Sequence, residues 1–243
     1  MKLILKIAAA LVLLFFLSVS SVAGWLYFHE SDLPPTSQLR PFVPASRTAV
    51  QIQVCQESSS TVQALPISEL GANVISAVTA AEGSPDPRSP LLARAADLAS
   101  DGSPRGSRYS LQIARSLVCE GRNLQHSISE LRLAIQIERH YTREEILTVY
   151  LNRLYLAPGT YGVENAAQRY FDKHAAQLSV DEAALIAALI RSPNRFSPVT
   201  HPDRAIQRRN FVIDEMVKIG AVRQDEADRA KAQDLHVKSN TNG

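Results

Sequence analysis

A long uncharged stretch of mainly apolar residues extends from Ile7 to Phe28 near the start of the chain. A helix rises ~1.5 Å per residue, so a stretch of this length spans the ~30 Å apolar core of a bilayer. Lys2 and Lys6 precede it, and positive charge before a first membrane helix favours a cytoplasmic N-terminus. The pattern predicts a single-pass anchor at residues 1–29 in the cytoplasmic (inner) membrane, with the following chain on the extracytoplasmic, periplasmic side.

The alternative for this segment is a cleaved signal peptide, since Ser21–Ala23 before Gly24 forms an acceptable small-residue cleavage site. Two features favour a retained anchor. The stretch is long for the apolar region of a signal peptide, and Trp25, Tyr27 and Phe28 are typical of the aromatic belt at a membrane surface.

Residues 30–65 are interpreted as a stalk with a short extended segment. Residues 30–48 are rich in Pro, Ser and Thr, a composition that favours an extended connection. Val50 and Ile52 then alternate with polar residues, which predicts a short strand within Thr48–Gln56.

Helical periodicity begins at Ser68, where apolar side chains recur at spacings that place them on one helix face. This first helix is predicted to end near Glu82, because the Gly- and Pro-rich segment Gly83–Pro87 cannot continue it. A second helix is predicted at Ser89–Leu98, and the Gly-containing segment Ser100–Ser107 predicts a loop.

The C-terminal half contains three capping boxes, in which Ser or Thr is followed three residues later by Glu at the start of an apolar-periodic run. They are Ser127-x-x-Glu130, Thr142-x-x-Glu145 and Ser179-x-x-Glu182. A further helix is predicted from Pro202 to Gly220, and a short polar one at Gln224–Gln233. The fold class is therefore predicted to be all-α, mainly helical, with one small strand.

The chain carries 26 Lys and Arg residues against 24 Asp and Glu, and the lysines before the apolar stretch account for the difference. The exported part is therefore neutral, which argues against a nucleic-acid partner. Cys55 and Cys119 are the only cysteines, and an exported location permits a disulfide between them; two separate buried thiols are the alternative. The Cys and His residues show no metal-binding spacing, so no metal ligands are predicted.

Several short motifs in the C-terminal half occur in the order and at the spacing of one known family. They are Tyr150-Leu151-Asn152, Tyr161-Gly162-Val163, Ala166-Ala167, Tyr170-Phe171, Leu178-Ser179-x-Asp181-Glu182-Ala183-Ala184-Leu185 and Ser192-Pro193-Asn194. Together they resemble glycosyltransferase family 51, the peptidoglycan glycosyltransferases (transglycosylases) of class A penicillin-binding proteins and monofunctional transglycosylases. The resemblance predicts a family domain at residues 66–222, followed by a polar helix and tail at 223–243.

The resemblance implies a lysozyme-like helical domain that polymerises lipid II into glycan strands, with inversion at the anomeric carbon of the sugar. The implied partners are lipid II, the nascent glycan strand, the inner membrane and other cell-wall synthesis proteins. No cofactor follows from the residues themselves, whereas the resemblance implies a divalent metal, Mg²⁺ or Mn²⁺. The chain has no Ser-x-x-Lys or Lys-Thr-Gly motif, so no penicillin-binding function is expected.

In that family a glutamate in the motif Glu-Asp-x-x-Phe-x-x-His-x-Gly is the base that deprotonates the incoming sugar hydroxyl. Ala80-Ala81-Glu82 resembles the approach to this motif, which makes Glu82 the matching catalytic residue. Gly83 stands where the family has Asp, and the segment with Phe, His and Gly is missing before Asp86. A solvated carboxylate at a helix end is the alternative interpretation of Glu82.

The family's second motif, Gly-Gly-Ser-Thr-Ile-Thr-Gln-Gln-Leu, corresponds to Arg105–Ile113, in which Ser107 and Gln112 are retained. Arg115 takes the place of a basic residue further on. These three are the candidate substrate-binding residues. A loop leading into a core helix is the alternative interpretation of the segment.

Glu130 matches the glutamate of the third motif, Arg-Lys-x-x-Glu, and is the second candidate catalytic residue. His126 and Ser127 occupy the two basic positions, so cations that would neutralise a departing diphosphate are lost. Glu130 also has a structural interpretation, as the third helical residue of the Ser127 capping box.

Functions from different classes remain open on these residues. One is a working peptidoglycan glycosyltransferase with Glu82 as base and Glu130 as transition-state or metal partner. Another is an inactive, membrane-anchored pseudoenzyme that serves as a binding or scaffold subunit in cell-wall assembly, and hydrolytic cleavage of glycan strands is a third. The departures from the family cluster at the reacting centre, whereas the retained motifs mainly carry helix packing.

Overall fold

The computed structural model describes Ser18 and four longer stretches of the chain, residues 33–52, 60–83, 106–118 and 124–238. The chain divides into two compact units, Met1–Pro35 and Thr36–Gly243, and the elements below belong to the second. Three predictions fall outside the described residues: the anchor at 1–29 apart from Ser18, the helix at Ser89–Leu98, and the state of Cys55 and Cys119. Within the described stretches, no helix combines the length and apolar character needed to cross a bilayer.

Helices make up most of the second unit, which confirms the prediction of a mainly helical fold. The described residues form eight α-helices: α1 (Ala72–Gly83), α2 (Gly106–Leu117), α3 (Leu124–His140), α4 (Arg143–Arg153), α5 (Val163–Phe171), α6 (Val180–Leu189), α7 (Pro202–Lys218) and α8 (Gln224–Lys231). Short 3-10 helices lie at Thr36–Phe42, Ile67–Glu69 and Ala175–Gln177.

Helix α6 lies within the hydrophobic core because it is apolar on nearly every side. Every residue from Val180 to Leu189 except Asp181 is buried. A helix without a polar stripe has to be covered all round, and α6 packs against α1, α5 and α7. Helix α1 is thereby fixed on the core, and this fixes the position of Glu82 near its C-terminal end.

Two small antiparallel sheets accompany the helices. Strand β1 (Thr48–Ile52) pairs with β2 (Ser60–Ala64), and β3 (Tyr155–Ala157) pairs with β4 (Thr160–Tyr161). The predicted strand is confirmed over Thr48–Ile52. The expectation of a single strand is wrong. Strands β3 and β4, with three and two residues, are too short for an alternating pattern to stand out in the sequence. Strand β2 is as long as β1, but Val62 is its only large apolar residue, so its alternation is weak.

Two predicted element boundaries are wrong. Helix α1 begins at Ala72 rather than at Ser68, because Gly71 has a φ of +82° that interrupts the helical path. A Cβ at Gly71 would also lie 2.7 Å from the backbone of a neighbouring turn, so only glycine fits there. Helix α2 begins at Gly106, and the last two residues of the predicted loop Ser100–Ser107 are therefore helical.

Two of the three predicted capping boxes are confirmed. The Thr142 N–H donates to Glu145 Oε2 at 2.8 Å, and Thr142 Oγ1 accepts from the Glu145 N–H at 3.2 Å. The Ser179 N–H donates to the glutamate of its own box at 3.0 Å. The prediction of a capping box at Ser127 is wrong, because α3 already begins at Leu124 and Ser127 lies inside this helix. Glu130 is therefore an interior residue of α3, and its interpretation as a capping residue does not hold.

Candidate active site

The glutamate near the end of α1 is hydrogen-bonded to a tyrosine of α4. Glu82 is half-buried, and the hydroxyl of Tyr150 donates a 3.0 Å hydrogen bond to its Oε1 atom. The Tyr150 side chain is buried, and its ring packs on Tyr109 of α2 with the ring centroids 4.8 Å apart. Helices α1, α2 and α4 therefore meet around this carboxylate.

Burial raises the pKa of Glu82 above its ordinary value of 4.5. The hydrogen bond from Tyr150 opposes this shift, as do the positive charges of three nearby arginines, but removal of the carboxylate from water outweighs them. The arginines are Arg108, Arg208 and Arg191. Glu82 is therefore not a freely solvated helix-end carboxylate.

The Tyr150 hydroxyl remains a donor at neutral pH. Burial, together with the charge of Glu82 beside it, raises the pKa of Tyr150 well above 10. A tyrosine that keeps its proton can hold the carboxylate in one orientation without competing for the proton that the carboxylate accepts.

A cavity of about 500 Å³ has Tyr150 in its wall, whereas Glu82 is not one of its lining residues and is connected to it through Tyr150. Two of the three candidate substrate-binding residues, Gln112 and Arg115 of α2, also line it. The side chain of the third, Ser107, lies outside the described part of the structure. A volume of several hundred Å³ is typical of sites for small ligands.

Glu130 contacts two basic side chains, Arg115 on the neighbouring helix α2 and His126 one turn earlier on its own helix α3. Arg115 Nε donates to Glu130 Oε2 at 3.1 Å, and His126 Nε2 lies 3.1 Å from Oε1. The Glu130 side chain is only 14% exposed, whereas that of Arg115 is 42% exposed and reaches the cavity. His126, which stands at a basic position of the third motif, thus contributes to a three-residue cluster.

The candidate residues are connected through the cavity. Tyr150 links Glu82 to one part of the wall, and Arg115 links Glu130 to another. The structure therefore brings four of the five sequence-predicted site residues to the cavity or to a residue that lines it, with Gln112 as the fourth.

Asn152, in the motif that begins at Tyr150, has a purely structural set of contacts. Its side chain is fully buried, and its Oδ1 accepts from the Leu65 N–H at 3.1 Å. Its Nδ2 donates to the carbonyl oxygens of Phe42 at 3.0 Å and of Leu65 at 2.9 Å. Asn152 thus ties the segment before α1 to the C-terminal end of α4, beside the cavity.

The backbone conformation at position 162, in the next motif, requires glycine. It has a φ of +80°, and its N–H donates to the Leu154 carbonyl at 2.8 Å. A Cβ at this position would lie 2.8 Å from the Asn152 carbonyl oxygen. Glycine therefore allows the β3–β4 hairpin to close against the end of α4.

The described residues do not fit the divalent metal that the family resemblance implies. Throughout those stretches, His, Cys, Asp and Glu side chains form no group of three or more placed to bind a metal ion. Both oxygens of Glu130 already face basic side chains. No chemical step is assigned to a metal here.

Sequence reasoning missed the partners of the candidate residues. Tyr150 was available as a signal, because it opens a motif that resembles the family, but its bond to Glu82 spans 68 positions. Arg108 follows Ser107 within the second motif without a distinguishing pattern. Arg153, which lines the cavity directly after Asn152, likewise gives no periodic signal.

The chain matches the model of a known protein family. Residues 50–217 match the model of the transglycosylase family. The chain therefore belongs to that family, which confirms its resemblance to the peptidoglycan glycosyltransferases of glycosyltransferase family 51.

Relatives of the chain include three proteins named penicillin-binding protein 1A. That of Aquifex aeolicus is 45% identical over 134 residues, covering 55% of this chain and 18% of that protein. That of Pseudomonas aeruginosa is 39% identical over 137 residues, covering 55% of this chain and 17% of that protein. That of Vibrio cholerae is 31% identical over 246 residues, covering 96% of this chain and 30% of that protein. The chain thus spans less than a third of the length of these relatives.

Proposed function

We propose that this chain is a peptidoglycan glycosyltransferase that polymerises lipid II into glycan strands, with inversion at the anomeric carbon. Residues 1–29 anchor it in the inner membrane, and the helical domain acts on the periplasmic side. The proposed partners are lipid II, the growing glycan strand and other cell-wall synthesis proteins. Membership of the transglycosylase family supports the class of reaction.

The observation that carries the proposal is the environment of Glu82. A general base is most effective when its pKa lies near the working pH, and burial moves the pKa of Glu82 in that direction. Tyr150 holds Oε1, so Oε2 is the oxygen proposed to take the proton from the incoming sugar hydroxyl. The deprotonated hydroxyl oxygen then attacks the anomeric carbon, and the bond to the diphosphate breaks.

The departing diphosphate needs positive charge and hydrogen-bond donors. Arg115 and Gln112 line the cavity beside Tyr150, and Ser107 lies five residues before Gln112 in the same helix. We assign these three residues to the substrate. Glu130 is assigned to the transition state through Arg115, because its contact holds the guanidinium at the cavity wall.

A second candidate function is a binding or scaffold subunit without catalytic activity. The observation that favours it is the closed contact among Arg115, Glu130 and His126, in which each basic group already faces a carboxylate oxygen. The positive charge of Arg115, neutralised in this way by Glu130, is less available to a diphosphate. Gly83, in place of the family's aspartate next to Glu82, favours the same candidate.

The test is polymerisation of labelled lipid II by the purified full-length protein, with and without Mg²⁺ or Mn²⁺. Wild type is compared with Glu82→Gln and Glu130→Gln, and Glu226→Gln on exposed helix α8 is the matched control. Loss of a general base lowers the rate by about 10²–10⁴-fold, so Glu82→Gln is expected to make almost no glycan while Glu226→Gln matches wild type.

The outcomes separate the two candidate functions. Glycan chains that disappear with Glu82→Gln establish the transferase. Lipid II binding without any product, at high concentrations of wild-type protein, supports the binding or scaffold subunit. Product that is unchanged in Glu82→Gln contradicts the proposed role of this residue.

A further inference from the structure

Arg153 is a buried arginine without a hydrogen-bond acceptor for most of its guanidinium group. It ends helix α4 and is 8% exposed. Its Nε and Nη2 atoms are inaccessible to solvent and have no hydrogen-bond partner among the described residues. Buried polar groups in folded proteins are nearly always paired, so this arrangement calls for an acceptor from elsewhere.

The packing around Arg153 holds the guanidinium in place without neutralising it. Its Cζ atom lies 4.7 Å from the centroid of the Phe42 ring, a contact that stabilises a cation but offers no hydrogen-bond acceptor. Asn152 holds the backbone of Phe42 through a 3.0 Å hydrogen bond, so this aromatic platform is fixed.

Arg153 remains positively charged at neutral pH. Burial lowers its pKa to about 10, and this value still lies well above 7. The side chain is therefore a buried cation with two unpaired donor nitrogens rather than a neutral group.

The same arginine lines the cavity beside Tyr150. The described residues in the wall include a second arginine, Arg115, together with Gln112, Tyr155 and Tyr161 as further polar side chains. They include no Asp or Glu. Arg115 has Glu130 as its partner, whereas Arg153 has no carboxylate in the described part of the chain. The cavity therefore has an excess of positive charge located at Arg153.

We propose that this cavity binds an oxyanion, a phosphate or carboxylate group of a larger ligand, through Arg153. A guanidinium offers parallel N–H donors that match the oxygens of either group, and the desolvated setting strengthens such a contact. A cavity of about 500 Å³ is large enough for an anion attached to a sugar or a peptide. The phosphate source rests on the proposed function, since a diphosphate is what a lipid II-dependent transferase would release.

The experiment measures binding of two probes, inorganic pyrophosphate and acetate, to the full-length protein by isothermal titration calorimetry at constant ionic strength. The variants are Arg153→Met, which keeps length but removes charge, and Arg153→Lys, which keeps charge but removes the guanidinium. Arg223→Met is the matched control, because the Arg223 side chain is 84% exposed.

The expected result is saturable binding of at least one probe to wild type. Arg153→Met is expected to weaken it by about tenfold or more, Arg153→Lys by less, and Arg223→Met by less than about twofold. Selective binding of pyrophosphate assigns the anion to a phosphate, and selective binding of acetate assigns it to a carboxylate. Far-UV circular dichroism is used to check that each variant folds. If Arg153→Met does not fold, Arg153→Lys serves as the test.

Two results would overturn the proposal. One is equal affinity of wild type and the folded Arg153 variants for the probe. The other is the lack of saturable binding of both probes to wild type. The calorimetry with pyrophosphate and acetate does not use lipid II. Failure of this inference is therefore distinct from failure of the proposed transferase activity, which the polymerisation assay reports.

Discussion

The hydroxyl of Tyr150 donates a 3.0 Å hydrogen bond to the Oε1 atom of Glu82. This bond joins a motif of α4 to the C-terminal end of α1, and it is made in a buried setting where Tyr150 keeps its proton. The carboxylate is therefore both destabilised by burial and oriented by a fixed donor. Both effects can be measured separately.

Replacement of Tyr150 by Phe is expected to raise the pKa of Glu82 further, because the hydrogen bond that lowers it is lost while burial remains. If Glu82 is the base, the acid limb of the pH–activity profile moves to higher pH. The measurement is ¹³C NMR titration of the glutamate carboxyl carbons, with Glu82→Gln used to assign the signal. An unchanged or lowered pKa in Tyr150→Phe contradicts the assigned effect of the bond.

Replacement of Glu82 by Gln is expected to change the pH dependence of stability. The folded-state pKa of Glu82 is raised above 4.5, so the folded protein binds this proton more tightly than the unfolded chain. That contribution to stability is fully present below pH 4.5 and is lost as the pH rises through the folded-state pKa. Urea denaturation at several pH values should therefore show Glu82→Gln gaining stability relative to wild type as the pH increases. Glu226→Gln on exposed helix α8 is measured in the same series as the control substitution.

Replacement of Asn152 by Ala is expected to destabilise the fold by about 3–5 kcal/mol, because three buried backbone groups lose their partner. Asn165→Ala is the matched control. Asn165 also bonds two backbone groups, of Gln63 and Thr61, but at a more exposed site, so a loss of about 1 kcal/mol is expected. Urea denaturation followed by circular dichroism measures both values. Equal losses would show that burial of the Asn152 contacts adds nothing.

Replacement of Gly162 by Ala is expected to cost about 2–5 kcal/mol, since the φ of +80° disfavours a side chain and the new Cβ would lie 2.8 Å from the Asn152 carbonyl oxygen. Gly159→Ala separates the two causes. Gly159 also has a positive φ, +67°, but a Cβ there meets nothing within 4 Å, so a cost of about 1–2 kcal/mol is expected. Thermal and urea denaturation of the two variants give the difference. A cost at Gly162 no greater than at Gly159 would remove the steric argument.

The parts of the fold that could be predicted are those with local signals. Thr142 and Ser179 each begin a helix because the capping glutamate lies three residues further on. Ser127 carries the same pattern, yet α3 starts at Leu124, three residues earlier, so the local signal was overridden. The start of α1 depends on Gly71, where a Cβ would lie 2.7 Å from the backbone of Ala176, about a hundred residues further along the chain.

The residues of the candidate site also divide into those with a signal in the local sequence and those whose role depends on contacts between distant parts of the chain. Glu82, Gln112, Arg115 and Glu130 were found from motif order, which needs no knowledge of contacts. The roles of their partners could not be found, because Tyr150 reaches Glu82 and Arg115 reaches Glu130 only after helices separated in sequence have packed. Burial of Arg153 depends on Phe42, which lies more than a hundred positions earlier.

Asn152 and Arg153 are adjacent in the chain, but their buried side chains differ in how many of their polar atoms are hydrogen-bonded. Every polar atom of the Asn152 side chain has a buried partner, whereas two nitrogens of Arg153 have none among the described residues. A laboratory selection for heat resistance alone is therefore expected to retain Asn152 and to replace Arg153 by an uncharged residue. The contribution of the Arg153 guanidinium would then lie in what enters the cavity and not in the stability of the fold.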